Sequence, residues 1–224
     1  MVVYKLIYFP VRNMAEPIRM LFHIKGQRFE DVRVNMDDWP KMKKGKGMRN
    51  SGIQIVLDIP FGRLPCLEVN DKKLVQSQAI LRFLGKRFII STEMAGHDQW
   101  EEARVDELAD LYLDFYNGIK PYIFTVSGFE KGDDAQLKKS ALLPNVEKFF
   151  PLYSKFLKQN GGSGFLVGKK LTFVDLQLAD MLFTIRTMAP EVFDRHLDLS
   201  SFIDRIYGHY SLKKYIAQRP ATQI

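Results

Sequence analysis

The chain has 224 residues, 46% of them hydrophobic and 12% aromatic, which suffices for one large domain or two small ones and excludes a disordered protein. Its net charge of +7 favours anionic ligands, yet outside the run Lys41–Arg49 the Lys and Arg mix with Asp and Glu on helical faces, without a recognition helix, zinc finger or aromatic RNA-binding motif, so no nucleic-acid partner is expected. The single Cys66 excludes an internal disulfide, thiol-rich metal sites and CxxC chemistry and fits a reducing, cytoplasmic setting; Met1–Phe9 is too short and too interrupted by Lys5 for a leader, and no stretch reaches the length of a membrane span.

Tyr4 to Phe9 alternates as a strand. After a turn at Pro10–Asn13, Ala15 to Lys25 has helical spacing, with Pro17 in the first turn and Gly26 at the end. Arg28 to Val34 is a second strand, so the first two strands should be parallel with a right-handed crossover. Asp37 to Lys44 reads as a short helix or irregular turn carrying Trp39.

The stretch from Pro60 to Leu84 carries the most information. Cys66–Val69 and Lys73–Val75 read as a hairpin through Asn70-Asp71, a pair that tolerates positive φ. Gln76-Ser77 opens a helix with Ala79, Ile80, Phe83 and Leu84 on its apolar face, and Ser77 occupies an N-cap place. Pro65 before the strand is a candidate cis proline that leaves the preceding backbone open to an extended peptide. A helix start beside it suits a carboxylate.

Ser91 to Gly96 reads as a polar linker, and everything after it has helical period. Asp98 with Glu101 makes a capping pair for a long helix through Phe115. A second helix around 135–158 is expected to bend near Pro144 and Pro151. Thr172-Phe-Val-Asp175 is a capping pattern for an apolar helix to about Met188, followed by shorter helices at Ser200–Gly208 and Leu212–Gln218. The fold class is therefore α/β plus all-α, divided into 1–90 and 91–224. The four histidines lack metal-ligand spacing, and there is no nucleophile elbow, P-loop or dinucleotide fingerprint; no metal is expected.

Several residues in order make the chain similar to the cytosolic glutathione transferases, nearest to the sigma class with its prostaglandin-D-synthase-like and nematode members. They are Tyr8-Phe9, Ala15-Glu16-Pro17-Ile18-Arg19, Trp39 with Lys43, Pro60-Phe61-Gly62-Arg63-Leu64-Pro65, Gln76-Ser77 and the Thr172–Asp175 box. The resemblance spans nearly the whole chain. It implies a thioredoxin-like N-terminal domain, an all-helical C-terminal domain, and conjugation of reduced glutathione, the co-substrate, to hydrophobic electrophiles. Peroxidase or prostaglandin isomerase side activity is implied as well. A carrier of haem or lipophilic ligands on the same fold is the alternative.

The resemblance also assigns residues. Tyr8 would stabilise the glutathione thiolate. The backbone of Leu64, before cis Pro65, would pair with the cysteinyl unit, beside Arg63, which replaces the usual Gln or Lys. Gln76 and Ser77 would hold the γ-glutamyl end, and Trp39 and Lys43 the glycyl end. Asp114 would reach the γ-glutamyl amine across a homodimer interface. Phe9, Met14 and Tyr116 would line the acceptor site. The chain departs from the family at Asn13-Met14, where sigma enzymes often have glycine and a basic residue. Met14 cannot polarise the sulfur, and Arg12 is the nearby substitute. About thirteen extra residues near 45–57 read as a loop with Ile53–Leu57 as a candidate added edge strand.

Overall fold

The structure, a computed structural model, describes residues 2–40, 59–87 and 94–224, and residues 48–50 and 53–55 by their backbone. Strand β1 (Tyr4–Tyr8) lies inside a sheet covered on both faces, so Leu6 and Ile7, which point opposite ways, are both fully buried. Helix α1 (Glu16–Ile24) takes Pro17 in its first turn and returns to β2 (Glu30–Arg33), which pairs parallel to β1 with Leu6 opposite Asp31.

The insertion holds a short antiparallel hairpin, β3 (Met48–Asn50) and β4 (Ile53–Ile55). Ile53–Ile55 therefore does not extend the main sheet as an edge strand. Its partner is the neighbouring Met48–Asn50, the closest strand along the chain.

Strand β5 (Cys66–Val69) runs antiparallel to β1, and β6 (Lys72–Val75) antiparallel to β5, giving the order β2-β1-β5-β6. Between them Asn70 adopts φ +55°, and its Oδ1 accepts from the Val3 N–H at 3.0 Å. Helix α2 (Ser77–Arg87) follows at once. The described end of the expected linker is packed instead of solvated. Met94 is fully buried, its carbonyl accepts from the Phe173 N–H at 2.8 Å, and Gly85 leaves room for Ala95 and Phe173 to close on α2.

Helix α3 (Gln99–Val126) starts at Asp98, whose side chain accepts from the Glu101 N–H at 2.8 Å. Helix α4 (Asp134–Leu137) passes through one π-turn at Lys138–Leu142 into α5 (Leu143–Gln159). The turn widens just before Pro144, which has no N–H for the Ser140 carbonyl. Gly118 on α3 faces Asn145, and any Cβ there would fall 2.2 Å from its amide oxygen.

Helix α6 (Phe173–Met188) is buried along most of its length, and α7 (Leu197–Tyr207) and α8 (Tyr210–Gln218) pack outside it. The Asp175 carboxylate accepts from the backbone N–H of Leu166 and from the N–H and hydroxyl of Thr172, each at 2.8 Å. Burial pushes its carboxyl up to about 6, against the pull of those donors. One continuous apolar cluster joins β1, α1 and α2 to α3, α5, α6 and α7. Glu16 and Arg19 are buried on α1 and tie it to Asp31 of β2 and to Tyr215 and Arg219 at the C-terminal end.

Candidate active site

Tyr8 closes β1 at the edge of the inter-domain cleft, with only 6% of its surface exposed. Its hydroxyl oxygen receives the backbone N–H of Met14, and the Arg19 guanidinium lies 6.0 Å from its ring centroid. Burial, with Tyr116 adding to it, raises the phenol far above its ordinary value, and the Met14 N–H and Arg19 offset only part of this. Tyr8 thus keeps its proton throughout the neutral range. With its oxygen already accepting, that proton is free for an acceptor in the cleft.

Phe9 turns its ring to Tyr8 at 5.4 Å and meets Trp39 edge-on at 6.0 Å. Trp39, at the first helical residue after the turn at 36–38, is half-buried. Trp39 and Leu64 both pack on a small second core of Ile7, Val34, Ile59, Cys66 and Val75. The outer face of the sheet therefore holds together two residues 25 positions apart. The Leu64–Pro65 peptide is cis, and Arg63 before it is extended and exposed. Burial pushes the Cys66 thiol up to about 11, which keeps it out of thiolate chemistry.

Gln76 is exposed at φ +75°, a left-handed backbone that a glutamine rarely adopts. Its carbonyl accepts from the Ile80 N–H at 3.0 Å, so Gln76 and not Ser77 occupies the capping place of α2. The strand reverses one residue earlier than local pattern suggests. Ser77 becomes the first helical residue, and its hydroxyl donates to the Met14 sulfur at 3.6 Å. Tyr8, Met14 and Ser77 are thereby joined through Met14, whose N–H serves one and whose sulfur serves the other. Lys43 lies outside the described residues.

Asp114 is exposed on α3, one turn beyond Asp110, which with Asp106 pairs with Arg82 of α2 at 2.6 and 2.7 Å. Arg12 faces away from the cleft. It is buried against Asp180 at 2.6 Å, Thr184 at 3.0 Å and the Gln223 carbonyl at 2.8 Å, so it cannot replace a basic side chain at position 14. An ion pair at this depth is held by its desolvated partner.

Beside Tyr8 a cavity of about 230 Å³ opens, walled by Phe9, Val11, Asn13, Met36, Phe124, Phe129, Glu130 and Ile224. Of the expected acceptor residues it contains Phe9. Met14 turns toward Ser77, and Tyr116 stacks on Tyr112 with its hydroxyl against the Asn13 amide. Sequence reasoning passed over Met36, Phe124, Phe129 and Ile224, which come from three distant places, Phe124 and Phe129 being neighbours with ring centroids 5.9 Å apart. Only the helical face of Phe124 carried any signal. Larger surface hollows, such as one lined by Lys155, Lys158, Arg195 and His196, lie away from Tyr8. Among the described residues no group of His, Cys, Asp and Glu is placed to hold a metal, and no helix is long and apolar enough to cross a membrane.

The family model described as "Glutathione S-transferase, N-terminal domain" matches residues 4–86, and that described as "Glutathione S-transferase, C-terminal domain" matches 114–219. The chain is 37% identical over 219 residues to glutathione S-transferase 1 of Ascaris suum, covering 98% of each. A Nu-class transferase structure from Haemonchus contortus superposes with a TM-score of 0.84 at 40% identity, covering 100% of both chains. A Necator americanus glutathione S-transferase described as monomeric gives 0.87 at 40%, covering 99% of this chain and 100% of that one. The Nu-class likeness makes the sigma label a coarse one.

Proposed function

The chain belongs to the glutathione S-transferase family and is a glutathione transferase, and from that premise we propose that Tyr8 performs the chemistry by donating a hydrogen bond to the glutathione sulfur, which favours its thiolate. The observation carrying this reading is the Tyr8 hydroxyl itself. It is buried, held protonated, and committed as acceptor to the Met14 N–H. A free thiol has a pKa of about 8.5, so only a few per cent is thiolate at neutral pH. A donor that favours the anion by about two pKa units supplies about 2.7 kcal/mol and makes the thiolate the major form.

The rest of the cleft suits the peptide. The γ-glutamyl carboxylate would sit at the start of α2 beside Gln76 and Ser77, where the left-handed backbone of Gln76 turns the chain from β6 into the helix. The cysteinyl backbone would run along Leu64, and the glycyl end toward Trp39, with Arg63 at its rim. The sulfur then faces the apolar cavity that Phe9 shares with Phe124, where an electrophile is held close to it. The same thiolate would attack the outer oxygen of an organic hydroperoxide, breaking the O–O bond and releasing the alkoxide as the alcohol, and a second glutathione would then displace water from the sulfenic acid to form the disulfide. Prostaglandin isomerisation is not part of the proposal, because neither Met14 nor the locked Arg12 supplies a cation here.

Asp114 would complete the γ-glutamyl site from a second copy, which makes the working unit a homodimer. Phe61, 79% exposed beside the site, is an apolar group that such a contact would cover. Sedimentation at micromolar concentration tests this, and a monomer with full activity would remove Asp114 from the site. The central test is conjugation of glutathione to a generic aromatic electrophile by wild type and Tyr8→Phe. A loss of at least tenfold in kcat at pH 7, with the glutathione KM within about threefold, is expected. Unchanged turnover would sink the Tyr8 assignment.

A further inference from the structure

Pro151, Ser154, Lys155, Lys158 and Gln159 recur on α5 at steps of three and four, so they share one helix face, the kind of stripe a helix normally turns into a core. Here the stripe is polar apart from Pro151, and it is left open. A surface hollow of about 360 Å³ separates it from Arg195, His196 and Asp198 at the start of α7. Small-ligand sites occupy roughly 300–1,000 Å³. The hollow shares no lining residue with the cavity beside Tyr8.

Three cations converge on this hollow, Lys155 and Lys158 from one wall and Arg195 from the other. All three are exposed, and none has an ion-pair or hydrogen-bond partner among the described residues. Cations nearby on α6 and α7 are matched: Arg186 meets Asp204 at 2.9 Å, and Arg205 donates to the Gly164 carbonyl at 2.9 Å. Asp198 is the lone carboxylate in the lining, and its Oδ2 is buried and accepts from none of the three. His196 stands in the same wall, its ring held edge-on to Phe150 at 5.2 Å. Like charges around a concave surface repel at small cost in water, and the field they focus draws an anion. A phosphomonoester suits that field, with about −1.5 to −2 charges at pH 7 and three acceptor oxygens for two ammonium groups and a guanidinium. A carboxylate brings one charge on two oxygens and leaves most of these donors unmatched.

We propose that the hollow between α5 and the start of α7 is a phosphate-binding site, in which Lys155 and Lys158 neutralise the charge and Arg195 takes two oxygens in its fork. A soluble phosphate and a lipid headgroup offer it the same chemistry. Leu197, 70% exposed next to His196 in the sequence, and Leu152, 36% exposed next to Pro151, are the apolar groups that a lipid surface would cover. The site makes no covalent bond and stands apart from Tyr8.

The test titrates inorganic pyrophosphate into the full-length chain by calorimetry, with and without saturating glutathione. Co-sedimentation measures binding to phosphatidylcholine vesicles with and without phosphatidic acid. Lys155→Gln, Lys158→Gln and Arg195→Gln should each weaken binding about tenfold, the loss of one charge-assisted hydrogen bond. Lys213→Gln, which removes the same charge from an exposed place on α8, should stay within about twofold of wild type. The three substituted side chains are exposed and unpartnered, so the variants fold, and their conjugation rates should stay within about twofold. Binding of either probe that weakens in those three variants supports the site. Pyrophosphate alone assigns it to a soluble phosphate, and phosphatidic acid vesicles alone assign it to a headgroup. Binding of neither probe overturns the proposal. So does equal weakening in Lys213→Gln, which would leave only overall charge, and so does pyrophosphate binding abolished by glutathione, which would put the anion in the glutathione cleft.

Discussion

The two sides of the cleft are built in different ways. On the glutathione side, Tyr8, Leu64, Gln76 and Ser77 sit at strand ends and on one reversal, and their positions follow from the β1-β5-β6 register and a few backbone angles. On the acceptor side, the walls arrive from β1, the loop at Met36, the far end of α3, the turn at Phe129 and the last residue of the chain. The first is a rigid, polar surface set by local chemistry. The second is an apolar enclosure set by packing between halves of the molecule. One side can therefore change while the other keeps its form.

The largest effect should fall on the core that both sides share, at the cap of α6. Asp175→Asn leaves the Leu166 or Thr172 N–H without a carboxylate and should cost about 3 kcal/mol by denaturant unfolding. Its pH dependence follows from a carboxyl raised to about 6 in the folded chain and near 4 when unfolded. Between those values the folded state binds the proton more tightly, so stability on this group's account rises as pH falls from 6 to 4. The gap between wild type and Asp175→Asn should widen over that window, and a constant gap would show that the carboxyl is not raised.

Next in size is Tyr8→Phe, confined to the glutathione side. Its deficit should shrink from at least tenfold at pH 7 to about twofold above pH 9, where the thiol ionises unaided. A deficit independent of pH would mean that Tyr8 acts on something other than the thiol. On the acceptor side, Phe124→Ala should raise the KM of an apolar electrophile about tenfold and leave that of glutathione within twofold. Equal rises in both would erase the distinction between the two sides.

The smallest effect sharpens it. Gln76→Gly relieves a left-handed backbone and should stabilise the chain by about 1 kcal/mol while weakening glutathione binding. Stability and affinity moving in the same direction would remove the case for strain held at the site.

The sequence alone carried the glutathione side far, because its chemistry is short-range. Asn70 announces its positive φ, Thr172 and Asp175 their mutual cap, and the helix start after β6 its free N–H groups. Even there the pattern erred by one residue at Ser77. A hydroxyl's preference for an N-cap is weak beside the strand geometry that makes Gln76 reverse the chain. Read as polar, 91–96 includes Met94 and Ala95, which only their contact with α2 and α6 reveals as core.

What the residue order determined by itself was the set of elements and the chemistry each could present: a tyrosine closing a strand, a proline opening one, a capped helix, an amphipathic C-terminal half. Periodicity, turn residues and caps act over a few positions, so they are written locally. What only the tertiary structure decided was which side chains meet. Arg12 was drawn to Asp180, 168 residues away, Ser77 to Met14, and Phe124 and Ile224 to the wall beside Tyr8. Such contacts depend on how two separately patterned halves close on one core, and no local preference specifies that geometry.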